Sequence, residues 1–153
     1  MARKEVILLV EDNPDDVELT LRCLKNNNLS NEVVVAWDGE QALDYLFGTG
    51  SYEGRDTTVM PQVVLLDLGL PKVDGFEVLE RLRSDERTSR LPVVVLTSSA
   101  EEQACVESYV RGANSCVRKP VDFMEFHEAV KQLGVYWIVL NETLLADPSS
   151  RGS

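Results

Sequence analysis

Four strand ends carry reactive chemistry, and they share a context. Glu11 and Asp12 follow VILLV, Asp67 closes VVLLD, Thr97 and Ser98 follow VVVL, and Lys119 stands before Pro120 after SCVR. Three carboxylates brought into one cleft repel one another and raise their pKa values unless a cation is present, so a divalent ion resolves the conflict. Mg²⁺ suits the set. It takes a few oxygen ligands and keeps waters, and Asp12, Asp67 and a backbone carbonyl near Gly69 can supply them, with Glu11 acting through water. Lys119 offers a point charge on a long stem, suited to an anionic oxygen. Thr97 offers a hydroxyl donor, and Ser98 is small enough to leave access. Together these groups describe a phosphoryl acceptor in which Asp67 attacks phosphorus while the metal and Lys119 neutralise the oxygens. Taken singly, each has an ordinary reading as a turn, a cap or a surface charge. Only convergence makes a site.

Convergence requires elements that end together. Five β-branched runs, Val6 to Val10, Glu32 to Ala36, Val63 to Asp67, Val93 to Thr97 and Ser115 to Arg118, alternate with helical patterns. The helical apolar sets are Val17, Leu21 and Leu24, then Leu43, Leu46 and Phe47, then Phe76, Leu79 and Leu82, then Val106, Tyr109, Val110 and Ala113. Continuous apolar strands imply burial on both faces, which a parallel sheet between two helical layers provides. The expected fold is a flavodoxin-like α/β three-layer sandwich, its five-stranded parallel sheet in order 2-1-3-4-5. In such sheets ligands bind at the carboxyl ends of the strands, where all of these residues fall. The loop GTGSYEGRDTTVMP, Gly48 to Pro61, is longer than the usual connection and reads as a surface excursion or a partner contact.

Composition narrows the function classes. The 153 residues carry a net charge of -11, against nucleic-acid binding, which needs clustered Lys and Arg. No apolar run suggests a membrane span or signal peptide, so a cytoplasmic protein is expected. The three cysteines, Cys23, Cys105 and Cys116, form no CxxC pair and support no disulfide framework, and with one histidine, His127, there is no zinc site. Cys23 and Cys105 read as ordinary helix residues, His127 as a solvated one. Asp15 and Asp16, after Pro14, read as helix-capping acids rather than ligands.

The motifs ILLVEDNPDD, LLDLGLPKVDG, VVVLTSS and VRKPVD closely resemble the receiver domain of two-component response regulators, over residues 4 to 133. That resemblance implies an acidic pair at Glu11 and Asp12, phosphorylation at Asp67, a switch hydroxyl at Thr97 and the characteristic lysine at Lys119. It implies a phosphohistidine kinase as donor, and a switch that catalyses its own phosphoryl transfer and slow dephosphorylation rather than an enzyme for a separate substrate. The long loop and the ending LGVYWIVLNE further resemble small single-domain regulators that partner phytochrome-type histidine kinases. Two positions depart from the family pattern: Cys116 replaces the usual switch aromatic, and Gly69 replaces a longer side chain that influences water attack.

Beyond Phe123, Phe126, Val130, Leu133, Trp137, Leu140 and Leu144 keep a three-and-four spacing, predicting an extended C-terminal helix. The single domain, with this extension, spans residues 1–146, and 147–153 is a tail ending in a tag-like Ser-Arg-Gly-Ser. VYWIVL is apolar on every side, which favours a homodimer through Tyr136, Trp137, Leu140 and the fourth-helix and fifth-strand face. Folding back on its own domain, or an added strand, is the alternative. Phosphorelay intermediate and degenerate binding module remain as other functions. A haloacid-dehalogenase-like phosphatase would need an Asp at position 69, and a nucleotide carrier would need a phosphate-binding loop.

Overall fold

In a computed structural model, residues 6–25, 32–70, 73–97, 102–119 and 124 are described. The strands are β1 (Val6–Val10), β2 (Glu32–Ala36), β3 (Val63–Asp67), β4 (Val93–Thr97) and β5 (Ser115–Arg118), the boundaries expected from the β-branched runs. Between them lie α1 (Pro14–Lys25), α2 (Gly39–Phe47), α3 (Gly75–Ser84) and α4 (Glu102–Val110). All strand pairs are parallel and the order is β2-β1-β3-β4-β5, as predicted. The predicted C-terminal helix, with Tyr136, Trp137 and Leu140, lies outside the described residues, as do Ser98 and His127. Among the described residues no helix is long and apolar enough to cross a membrane.

Alternation along β1 splits the core into two layers. Leu8 and Val10 pack with Leu43, Leu46, Val78, Leu79 and Leu82 from α2 and α3, while Ile7 and Leu9 pack with Val17 of α1. Buried on both faces, β1, β3 and β4 need no polar alternation. The edge strand β2 is more exposed.

Short polar contacts fix where helices begin and end. The Asn13 side chain accepts from the amides of Asp15 and Asp16, at 2.8 and 3.2 Å, and Pro14 occupies the first turn, so Asn13 is the cap that the sequence assigned to the acids. Asp38 and Asp74 accept from Gln41 and Glu77 in the same way. The long loop after α2 is packed on its own domain. Arg55 donates to the carbonyls of Tyr45 and Leu46, which the end of α2 leaves without helical partners, and to that of Val59. Its guanidinium also lies 4.1 Å from the centroid of the Tyr45 ring, which Tyr52 meets edge-on at 5.1 Å.

The fourth helix differs from expectation. Val106, Tyr109 and Val110 were expected to face the core, yet all three are exposed and only Ala113 of that set is buried. The small residues decide this: Ser108 is buried and Cys105 half-buried, letting α4 approach β5 on its small-residue side.

Cys105 and Cys116 form a disulfide between α4 and β5, correcting the reading of both as unpaired. The pair is 11 residues apart, so no local motif announces it; the turn from α4 into β5 brings the Cα atoms to 5.7 Å, inside the range a disulfide spans.

Gly75, at the start of α3, shows how tightly the acceptor strand is supported. A Cβ there would lie 2.6 Å from the Asp67 carbonyl oxygen and 2.6 Å from the Leu68 Cα, both backbone atoms that cannot yield cheaply. Gly75→Ala is expected to lower stability by roughly 1–3 kcal/mol through overpacking, read as a lower urea midpoint at unchanged m-value.

Candidate functional site

Register aligns the ends of the strands. Val10 pairs with Ala36 on one side and Leu66 on the other, Asp67 pairs with Leu96, and Thr97 pairs with Arg118. The residues that follow β1 and β5 and those that end β3 and β4 therefore meet at one sheet edge. The order in which strands are added across the sheet also reverses here, since β1 lies between β2 and β3, which opens a crevice. Backbone bonds hold the rim: the Glu11 amide donates to the Ala36 carbonyl at 3.0 Å, and the Lys119 amide to the Thr97 carbonyl at 2.8 Å.

Glu11, Asp12 and Asp67 each bring a carboxylate oxygen within 4.8 Å of the other two. Their environments differ. Glu11 is fully buried and Asp67 is 4% exposed, whereas Asp12 is open to solvent. Lys119 reaches between them, its Nζ 2.9 Å from Glu11 Oε1 and 3.4 Å from Asp67 Oδ1. A third partner went unrecognised in the sequence. Asp16 Oδ2, in the first turn of α1, lies 3.0 Å from the same ammonium. A capping acid and a site acid look alike in sequence, and only the position of α1 above the sheet edge separates them.

The electrostatics follow from these contacts. Burial pushes Glu11 up to about 7, opposed by the Lys119 hydrogen bond and reinforced by the negative charge of Asp67. Burial alone would favour the neutral amine of Lys119, but its bonds to Glu11 and Asp16 and the charges of Asp67 and Glu11 outweigh that and hold it above the ordinary lysine range. One ammonium thus pairs with three acids, and Asp12 adds a fourth carboxylate beside Glu11 and Asp67. A hard cation with oxygen preference fits this donor set: clustered carboxylates, with no nitrogen or sulfur ligand among them.

Thr97 is buried at the end of β4, and Gly69 donates its amide to Asp67 Oδ1 at 3.2 Å. Among the described residues nothing crowds position 69, where an added Cβ would find Asp67 Oδ1 at 4.0 Å, so glycine is not sterically required there. The groove between α2 and α3, lined by Glu40, Leu43, Phe47 and Arg81, contains none of these residues.

A doubly wound five-stranded domain with an acid cluster, a hydroxyl and a lysine at one edge has the architecture of a signal-receiver domain. The response regulator receiver domain family matches residues 7–131, and the chain belongs to that family. Among solved structures, the bacteriophytochrome response regulator AtBRR is 55% identical with a TM-score of 0.82, over 92% of this chain and 99% of that one. Response regulator Rcp1 of Synechocystis sp. is 35% identical over 134 residues, covering 88% of this chain and 89% of the relative. The Mn²⁺-bound form of response regulator Rcp1 superimposes with a TM-score of 0.71 at 35% identity, covering 88% and 94%. The "Probable methanogenesis regulatory protein FilR2" of Methanothrix harundinacea is 38% identical over 138 residues, covering 90% and 86%. The chain is a receiver-domain response regulator of two-component signalling, related to phytochrome response regulators.

The raised Glu11 pKa has a stability consequence. Between pH 4.5 and about 7 the folded protein holds a proton that the unfolded chain has released, so this contribution is complete below 4.5 and is lost as pH rises through about 7. In buffer containing a chelator, wild type is expected to lose stability relative to Glu11→Gln across that window. Urea midpoints at closely spaced pH values check this, and a difference that stays flat would contradict it.

Proposed function

We propose that the protein accepts a phosphoryl group on Asp67 from a phosphohistidine of a sensor histidine kinase, and signals by protein contact or dimerisation. The observation that carries this is the Asp67 carboxylate, buried at the strand end with the Lys119 ammonium 3.4 Å away and two further acids beside it. An Asp67 oxygen attacks phosphorus, the phosphorus–nitrogen bond to the donor imidazole breaks, and the imidazole leaves with its electron pair and takes up a proton. The product is an aspartyl phosphate. Lys119 sets a positive charge against the phosphoryl oxygens, and the Gly69 amide orients the attacking carboxylate through its bond to Oδ1. Thr97, at the end of the neighbouring strand, is the hydroxyl that meets the new phosphoryl group. Asp12, Asp67 and the Gly69 carbonyl would hold Mg²⁺, with Glu11 beside them, and the ion would supply charge neutralisation there.

The Mn²⁺-bound relative supports the divalent ion, and the bacteriophytochrome regulator among the similar structures supports a phytochrome-type kinase as donor. A cytoplasmic location follows from that donor. The homodimer reading draws on the exposed Val106, Tyr109 and Val110 of α4, the helix assigned from sequence to the interface together with Tyr136, Trp137 and Leu140.

Two experiments test this. Incubation with acetyl phosphate and Mg²⁺ is expected to add about 80 Da to wild type and nothing to Asp67→Asn, since the attacking carboxylate is gone; equal labelling of both, or of neither, would refute the acceptor. For the dimer, light scattering coupled to size exclusion is expected to show the wild-type mass halved in Trp137→Glu. An unchanged mass would remove Trp137 from the interface.

A further inference from the structure

The core strands are sealed on both faces and the chain is long enough to bury a sizeable core, so the fold has no need of a covalent staple. The Cys105–Cys116 disulfide therefore calls for another reason. It joins β5 to a helix that meets the sheet through small residues: α4 turns Val106, Tyr109 and Val110 to solvent. Other ties run to its end, where Arg83 donates to the Gly112 carbonyl at 2.9 Å and Arg111 pairs with Glu80. Within the helix the Ser108 hydroxyl bonds the Cys105 carbonyl at 2.7 Å, which does not anchor it to β5.

Position adds to this. Cys116 is the register partner of Val95, two residues before Thr97, so in the pleat the cysteine and the hydroxyl rise on the same face of the sheet. Cys105 and Cys116 are both half-buried, which leaves the sulfurs within reach of a small thiol or disulfide.

We propose that Cys105 and Cys116 form a thiol–disulfide exchange site for low-molecular-weight disulfides, and that its oxidation state sets how tightly α4 is held on β5. The thiolate of one cysteine attacks a sulfur of the small disulfide, whose S–S bond breaks and releases one thiolate. The second cysteine then attacks the mixed disulfide and expels the other. The protein pair loses two electrons and two protons, and the small disulfide is reduced to two thiols. In a reducing compartment the pair rests as a dithiol with α4 free to shift, and oxidising conditions pin the helix. This holds whether or not Asp67 accepts a phosphoryl group.

The test uses the full chain equilibrated with oxidised and reduced glutathione at graded ratios, without a phosphoryl donor. Maleimide labelling after acid quench and unfolding is expected to count three thiols in the reduced protein and one, Cys23, in the oxidised. Hydrogen exchange should show the amides of residues 102–110 protected about tenfold more in the oxidised form. Cys105→Ser should abolish that difference, and Cys23→Ser should retain it. Three thiols at every ratio, or equal protection of α4 in the two states, would overturn the proposal. Wild type in its reduced state carries the comparison if the serine variant fails to fold.

Discussion

One ammonium shared among acids organises this molecule. Lys119 touches Glu11, Asp16 and Asp67, which arrive from the ends of β1 and β3 and the first turn of α1. Without the sheet those groups would disperse into water, and without the lysine the sheet edge would concentrate uncompensated negative charge. The arrangement is tense by design, since packed carboxylates remain partly unneutralised. Burial already drives Glu11 toward its protonated form. A site in that condition gains from any cation it can hold, and it is set to respond when the charge at Asp67 changes.

The backbone is built to keep that tension in place. Fully buried strands on either side of the crevice fix the carboxylates to rigid supports, and Gly75 lets α3 come against the Asp67 backbone where a methyl group has no room. Arg55 and Arg83 act similarly elsewhere, each gathering carbonyls from segments distant in sequence, so that the loops behave as part of the framework. On another side of the domain α4 turns its apolar residues outward, and its covalent link to β5 starts at Cys116, the register partner of Val95.

Much of this was legible in the sequence because one physical rule generated it. A run of four apolar residues ending in an acid, as in VVLLD, has few explanations other than a buried strand delivering a carboxylate to an edge. Repeated for Glu11, Thr97 and Lys119, that pattern revealed the fold and the cluster together. What escaped were features set by tertiary distance rather than local pattern. Asp16 is indistinguishable from a capping residue until α1 is placed over the sheet, and Asn13 then proves to hold the cap. Cys105 and Cys116 share no motif until α4 turns into β5. On α4, periodicity identified a stripe correctly but assigned it to the core, because hydrophobic spacing reports a face and not which way that face points.

The central claim is that the buried carboxylate at the end of β3, and no other acid of the cluster, is the group that takes the phosphoryl. Borohydride reduces an acyl phosphate but spares a free carboxylate, so the acceptor can be marked chemically. Wild-type protein phosphorylated with acetyl phosphate and Mg²⁺, reduced and mapped by tandem mass spectrometry, is predicted to carry homoserine at position 67 alone. Homoserine at position 12 or 16, 5-hydroxynorvaline (the reduction product of a glutamyl phosphate) at position 11, or an unmodified position 67 in labelled protein, would contradict the account.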